Sequence, residues 1–383
     1  MDIYADLGVR RVINADARLT RLGGSLMAEP VRAAMDAAAR SYVDMFELQA
    51  AVSARLAELT NNEAAHVCTG AAAGLFLTTM ACTVGSDMRQ IARLPDLGDR
   101  DEVIIHCAHR IPYDMAVRLT GARLVTIGNV LQTSPWELEA AIGPRTAAVL
   151  YIAGEHLARG ALPLPEVVMI AHAHGVPVIV DAAAQLPPPE NLWRFTRDIG
   201  ADLAVFSGGK DMGGPQASGL IVGRADLVAA CAAHCSPNQR LGRPMKVGKE
   251  EMVGLLAAVE RYLGMDHAAR IARFEQIVAG WVDALDDGDG VRARRDFPNE
   301  AGQPTPRALI SLDTARCGLS GAELRERLWG GDPRVAVAAA GADAISITPD
   351  TLEPGEELLV VEAIRRALAQ ETARFRLASG SAC

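Results

Sequence analysis

The chain has 383 residues, half of them hydrophobic, with a formal net charge of −9. That length allows one large domain plus a smaller one around a substantial core, and no apolar run reaches membrane-spanning length. The acidic balance argues against a broad nucleic-acid-binding face, and seven scattered cysteines suit a reducing, cytoplasmic compartment.

The start, MDIYADLGVRR, lacks the basic and apolar regions of a cleaved leader. Residues 1–25 read as an irregular arm ending in the turn Gly23-Gly24-Ser25, before a helix from Glu29-Pro30. Residues 44–60 place Leu48, Val52, Leu56 and Leu59 at helical spacing, with Asp44 as the cap. A short strand over residues 64–68 then runs into Thr69-Gly70-Ala71-Ala72-Ala73-Gly74, which opens a helix. Small residues at a helix N-terminus let backbone N–H groups close on an anion, and the helix dipole favours it. Thr69, Gly70 and Ala71 are therefore expected to form a phosphate cup. Neither GxGxxG nor a P-loop is present.

From residue 101 the pattern alternates. Strands are expected at 102–107, 122–127, 146–152, 176–181, 202–206 and 217–222, with helices between most of them. This is the pattern of a mainly parallel, doubly wound α/β sheet, whose ligands gather at the carboxyl ends of the strands. The last strand follows its neighbour too closely for a crossover helix and is expected to run antiparallel. His109 follows one strand and is a candidate to stack on a cofactor ring, or else to bond a backbone carbonyl.

The strand Val176-Pro-Val-Ile-Val-Asp181 ends in a carboxylate, and the stretch ADLAVFSGGKDMGG carries Lys210 just past the next strand. Lysine is scarce: Lys210, Lys246 and Lys249 stand against 35 arginines. A guanidinium never deprotonates in proteins, whereas a desolvated ammonium can become a nucleophilic amine. A lysine and an aspartate so placed are what pyridoxal 5'-phosphate (PLP) needs, the lysine to carry the aldehyde and the carboxylate to keep the ring nitrogen protonated. Ser207, at the lip of the lysine turn, and Gln185, shortly after Asp181, join the cofactor-binding candidates.

Residues 234–249, HCSPNQRLGRPMKVGK, are the most basic stretch of an acidic chain, through Arg240, Arg243, Lys246 and Lys249. Arg243 and Lys246 are candidates to bind a substrate carboxylate or phosphate. Cys231, His234 and Cys235 lack the second ligand pair that a metal site would need. A helix from 250 to about 285, with breaks, leads to a smaller α/β lobe. That lobe has strands near 307–312 and 343–347 and a helix at 354–370. The resulting division is an arm at 1–25, a cofactor domain at 26–250, a connecting helix at 251–285, a small domain at 286–378 and a disordered tail at 379–383.

The segments VDAAAQLPPPENLWRF, ADLAVFSGGKDMGGPQASGLIVGR and GRPMKVGKEE resemble the selenocysteine-synthase-like family of fold-type I PLP enzymes. VINA, LGGS, VDMFELQ and CTGAAAGL add to the likeness, which covers nearly the whole chain. The family includes L-seryl-tRNA(Sec) selenium transferase and D-glucosaminate-6-phosphate ammonia-lyase. The resemblance implies a homodimer or larger homo-oligomer, with the arm reaching an active site. Asp16-Ala17 departs from it where a glycine is usual, and Asn61-Asn62 replaces a usual Gly-Ala pair. The segment ISITPDTLEPGEE has no arginine where many aminotransferases on this fold hold a carboxylate, which weighs against transamination. The expected activity is a PLP-dependent lyase that removes the Cα proton of an amino acid or amino-sugar acid and releases ammonia by β-elimination. Selenium transfer on seryl-tRNA, racemisation and aldol cleavage use the same lysine and aspartate and stay open. So does a catalytically silent scaffold, against which the intact pair argues.

Overall fold

A computed structural model describes residues 3–299 and 301–380, with side chains as far as residue 369. Two compact units account for it. One comprises Met1–Gly23, Asp266–Asn299 and Pro304–Cys383; the other comprises Gly24–Met265 and Glu300–Gln303.

The first unit begins with β1 (Ile13–Ala15), so the stretch expected to be an irregular arm contributes a strand. The second unit carries seven strands: β2 (Ala64–Cys68), β3 (Glu102–His106), β4 (Arg123–Ile127), β5 (Thr146–Ile152), β6 (Val178–Asp181), β7 (Leu203–Ser207) and β8 (Gly219–Gly223). Their order is β2-β8-β7-β6-β5-β3-β4. Pairing is parallel from β7 to β4, and β8 runs antiparallel to both neighbours, as its short connection requires.

Every residue of β5, β6 and β8 is buried, because helices cover both faces of this sheet. Alternate side chains feed opposite cores. Tyr151, Val180 and Phe206 enter one, and Leu150, Ile179 and Val205 the other. The helix Ala71–Thr83 lies so close that a Cβ on Gly74 would come within 2.5 Å of Val205. The expected helix over 44–60 forms as Met45–Leu59, capped by Asp44, which accepts from the N–H groups of Phe46 and Glu47.

The helix expected to lead out with breaks runs as two helices, Lys249–Leu263 and His267–Leu285, and the boundary between units falls at their junction. The first unit continues with β9 (Val291–Asp296), β10 (Arg307–Leu312), β11 (Val335–Ala339) and β12 (Ala344–Ile347), in sheet order β1-β11-β12-β10-β9. The segment that lacks an arginine of its own is met by one from the arm, since Arg18 donates to the carbonyl oxygen of Asp350 at 2.7 Å and pairs with its carboxylate. The last helix runs Glu356–Gly380. Residues 379 and 380, expected to be disordered, close that helix, and residues 381–383 of the same tail lie outside the described residues.

Candidate active site

The carboxyl ends of β2, β3, β6 and β7 bring the sequence candidates to one edge of the larger sheet. Asp181 is the last residue of β6, in register with Ile152 of β5 and Val205 of β7. Ser207 ends β7 opposite Gly219, and Gly219 also pairs with Cys68 at the end of β2. Gly219 thus stands between Ser207 and the turn Thr69-Gly70. A Cβ there would lie 2.5 Å from the carbonyl carbon of Gly70 and 2.9 Å from the amide of Ala71. Only a glycine lets the start of the Ala71–Thr83 helix settle onto the strand. That helix start has no side-chain cap, and the side chains of Thr69 and Ser207 make no hydrogen bond among the described residues. These are open donors at a helix N-terminus, and they suit a phosphate.

The lysine turn is built from backbone packed on backbone. The amide of Gly208 donates to Ser218 O and that of Gly214 to Gly208 O, both at 2.9 Å. A Cβ on Gly209 would meet Gln216 Cα at 2.6 Å, so the GGPQ segment folds directly over the glycines that precede Lys210. The arm's turn adds a third layer. Gly24 has φ +74° and sits against Gly209 O, and Ser25 donates its hydroxyl to the carbonyl of Lys210. Two glycines and a serine that look like a generic turn in sequence are therefore part of the lysine's support.

Lys210 and Asp181 influence each other. Burial pushes the Lys210 ammonium toward its neutral form, and the Asp181 charge partly restores it. Burial pushes the Asp181 carboxyl up, opposed first by the Ala183 N–H that it accepts at 3.0 Å and then by Lys210. Asp181 is 6% exposed, and its other oxygen has no hydrogen-bond partner among the described residues. A buried carboxylate with one oxygen left over fits the protonated nitrogen of a pyridine ring, so this donor set fits PLP.

His109 is fully buried in the turn after β3. Its Nδ1 accepts from Ile152 N–H at 3.2 Å, which puts the ring proton on Nε2, and Nε2 has no partner among the described residues. The Tyr151 ring stands edge-on to it at 4.6 Å and His106 at 5.0 Å. Burial lowers His109 to about 3 and His106 to about 4, so both rings are neutral. Gln185 is half-buried and donates weakly to Ala301 O at 3.4 Å. In the basic loop, Lys249 donates to Ala38 O at 2.9 Å and pairs with Glu250, so it serves as an anchor. Arg240 contacts Gln239 O and Met88 Sδ. Arg243 and Lys246 carry no side-chain bond among the described residues. His234 bonds Gly85 O through Nε2 at 2.7 Å.

Sequence reasoning missed two contributors. Tyr151, the next-to-last residue of β5, packs against His109 and was legible as an aromatic near a strand's carboxyl end. Asp211, next to Lys210, accepts from Tyr262 Oη; nothing local to the turn announces a partner 51 positions away.

A family model described as SelA, L-seryl-tRNA selenium transferase, matches residues 12–279. The chain is 38% identical over 375 residues to a 5'-C-glycyluridine monooxygenase-decarboxylase of Streptomyces sp, covering 95% of this chain and 92% of that protein. It is 32% identical over 374 residues to the D-glucosaminate-6-phosphate ammonia lyase of Salmonella typhimurium, covering 95% of this chain and 97% of that one. A solved structure of D-glucosaminate-6-phosphate ammonia-lyase matches with a TM-score of 0.85 at 31% identity, over 97% of this chain and 99% of that chain. The chain therefore belongs to the SelA family, the L-seryl-tRNA selenium transferase family of fold-type I, pyridoxal 5'-phosphate-dependent enzymes.

Proposed function

We propose that this chain is a PLP-dependent lyase that removes the Cα proton from a small amino acid or amino-sugar acid and releases ammonia. The observation that carries the reading is the buried, mutually coupled pair of Lys210 and Asp181 at the carboxyl ends of the strands. Bound PLP supplies a ring that takes up the electron pair when a bond at Cα breaks. Lys210 attaches the cofactor, and its amine, once free, receives the Cα proton. Burial favours the neutral amine that this step needs. Asp181 holds a proton at the pyridine nitrogen with its other oxygen. Thr69, Gly70, Ala71 and Ser207 hold the phosphate through backbone amides and hydroxyls. Arg243 and Lys246 bind the substrate's carboxylate or phosphate. A β-hydroxyl leaves as water, and hydrolysis then yields ammonia and a 2-keto acid.

The likeness to the Salmonella ammonia lyase supports this reading over nearly the whole length of both chains. A second reading rests on the 38% identity to the Streptomyces protein: cleavage of the bond from Cα to the carboxylate, with dioxygen as oxidant. One assay separates them. The holoenzyme is incubated with D-glucosaminate 6-phosphate, with plain and phosphorylated 3-hydroxy-2-amino acids and with 5'-C-glycyluridine, while ammonia, carbon dioxide and dissolved oxygen are followed. The lyase reading expects ammonia and a keto acid at constant oxygen. Carbon dioxide released in step with oxygen uptake would replace it by the second.

A further inference from the structure

An open pocket of about 380 Å³ lies where the basic loop meets the short helix Met88–Ile91, and no residue of the candidate active site lines it. Met88, Ile91, Ala92 and Leu94 form one wall, and Gln239, Arg240 and Leu241 the other. The loop wall is tied down at its base, where Cys235 bridges Gly242, whose amide donates to His234 O at 3.1 Å. The ring of His234 in turn bonds Gly85 O, three residues before Met88. Ile91 belongs to one core of the larger sheet, and Leu94 and Leu241 pack against that core. The apolar part of the pocket is therefore continuous with fixed structure.

Arg240 is the only charged residue on these walls, and it is half-buried. Two contacts locate its guanidinium: Nη1 donates to Gln239 O at 3.2 Å, and Nη2 lies 3.6 Å from Met88 Sδ. Both partners line the pocket, so the guanidinium sits at its wall. A carbonyl and a thioether leave most of its five N–H donors unused and its charge unmatched. No carboxylate pairs with Arg240 among the described residues, whereas Arg89 and Arg93 on the facing segment are matched by Asp87 and Asp96. A half-buried guanidinium held against apolar side chains without a counter-charge points to an anion.

We propose that this pocket binds a small aryl carboxylate, its carboxylate on the Arg240 guanidinium and its ring against Ile91, Leu94 and Leu241. The volume is that of a small ligand pocket and suits one or two rings. A planar guanidinium fork matches a carboxylate in two hydrogen bonds. A single cation on the wall balances a monoanion and leaves the second charge of a phosphate unmatched, and an amine or metal ion would meet only repulsion. The site uses none of the residues assigned to PLP, so it stands whether or not the lyase reading does.

The test titrates the holoenzyme with 2-naphthoate by ligand-observed NMR, with 2-naphthamide and acetate as controls that lack the charge and the rings. Saturable binding of 2-naphthoate is expected, each control being weaker by about 10-fold or more, the scale of one charge-assisted contact. Arg240→Met keeps the stem, removes the charge and should weaken 2-naphthoate to the level of the amide, with turnover unchanged. Ala92→Glu, at an exposed position, adds an acid to the wall and should do the same. Arg243→Ala serves as the control for carboxylate binding at the active site and should leave the titration as it is. Absence of saturable binding, an amide that binds as tightly as the acid, or binding that survives Arg240→Met overturns the proposal. So does binding that Arg243→Ala abolishes, which would place the ligand in the active site.

Discussion

Tyr262 donates its hydroxyl to Asp211 Oδ2 at 2.9 Å, with both side chains buried, one residue along from Lys210. The bond ties the lysine turn to the helix Lys249–Leu263. A buried carboxylate that loses such a donor forfeits about 1.5–3 kcal/mol. Tyr262→Phe is expected to lower unfolding free energy by that amount in urea titrations and to slow turnover, because the turn that aims Lys210 loosens. Unchanged stability would show that Asp211 is held by its other contacts alone.

Lys210 is expected to be the point of cofactor attachment. Borohydride treatment of the yellow protein should fix the label on a peptide containing Lys210. Lys210→Ala should lose covalent attachment and several orders of magnitude in rate, since nucleophile and proton carrier go together. Label on Lys246 or Lys249 would refute the assignment.

Asp181→Asn removes the charge that matches a protonated ring nitrogen while keeping the side chain's shape. Cofactor should still bind, and exchange of the substrate's Cα proton should fall by at least about 100-fold, the scale of losing one electrostatic stabiliser. Solvent deuterium incorporation measures that step directly. Near-normal exchange would mean that another residue holds the nitrogen.

Arg243 and Lys246 make no side-chain bond among the described residues, unlike Lys249, which is committed to Ala38 and Glu250. A charge-assisted contact to a substrate anion is worth about 1.5–3 kcal/mol. Arg243→Ala or Lys246→Ala should therefore raise KM roughly 10- to 150-fold with the cofactor absorbance intact, and Lys249→Ala should cost stability instead. If RNA is the ligand, the same two variants weaken a gel shift in a steeply salt-dependent way and spare small-substrate turnover.

Burial holds His66 and His106 near 4 and His109 near 3, against an ordinary 6.5. Between about pH 6.5 and 4 the unfolded chain takes up protons at these positions while the folded one does not. Stability is therefore full above pH 6.5 and falls as the pH drops, by up to about 1.4 kcal/mol per pH unit for each ring. Urea unfolding at pH 7, 6 and 5 should show this, and His106→Leu should remove one ring's share of the slope. A flat profile in that window would mean that the rings are protonated in the folded state.

Local patterns carried the larger sheet. Continuous apolar runs such as those of β5 and β6 exist because both faces are covered, and a carboxylate ending one run with a lysine past the next marks the ligand edge without knowledge of the rest of the fold. Capping by Asp44 was equally legible, since a cap reaches only two or three residues. What the tertiary structure alone decided are the long-range closures. The arm's β1 gains its partner from β11 more than 300 positions away, and a strand of three residues has too little periodicity to be read. Gly24 and Gly219 look like any turn or strand glycine until Gly209 and Gly70 are brought against them. Backbone contacts of that kind leave no periodic trace in the sequence, because they depend on which segments meet and not on how each segment is patterned.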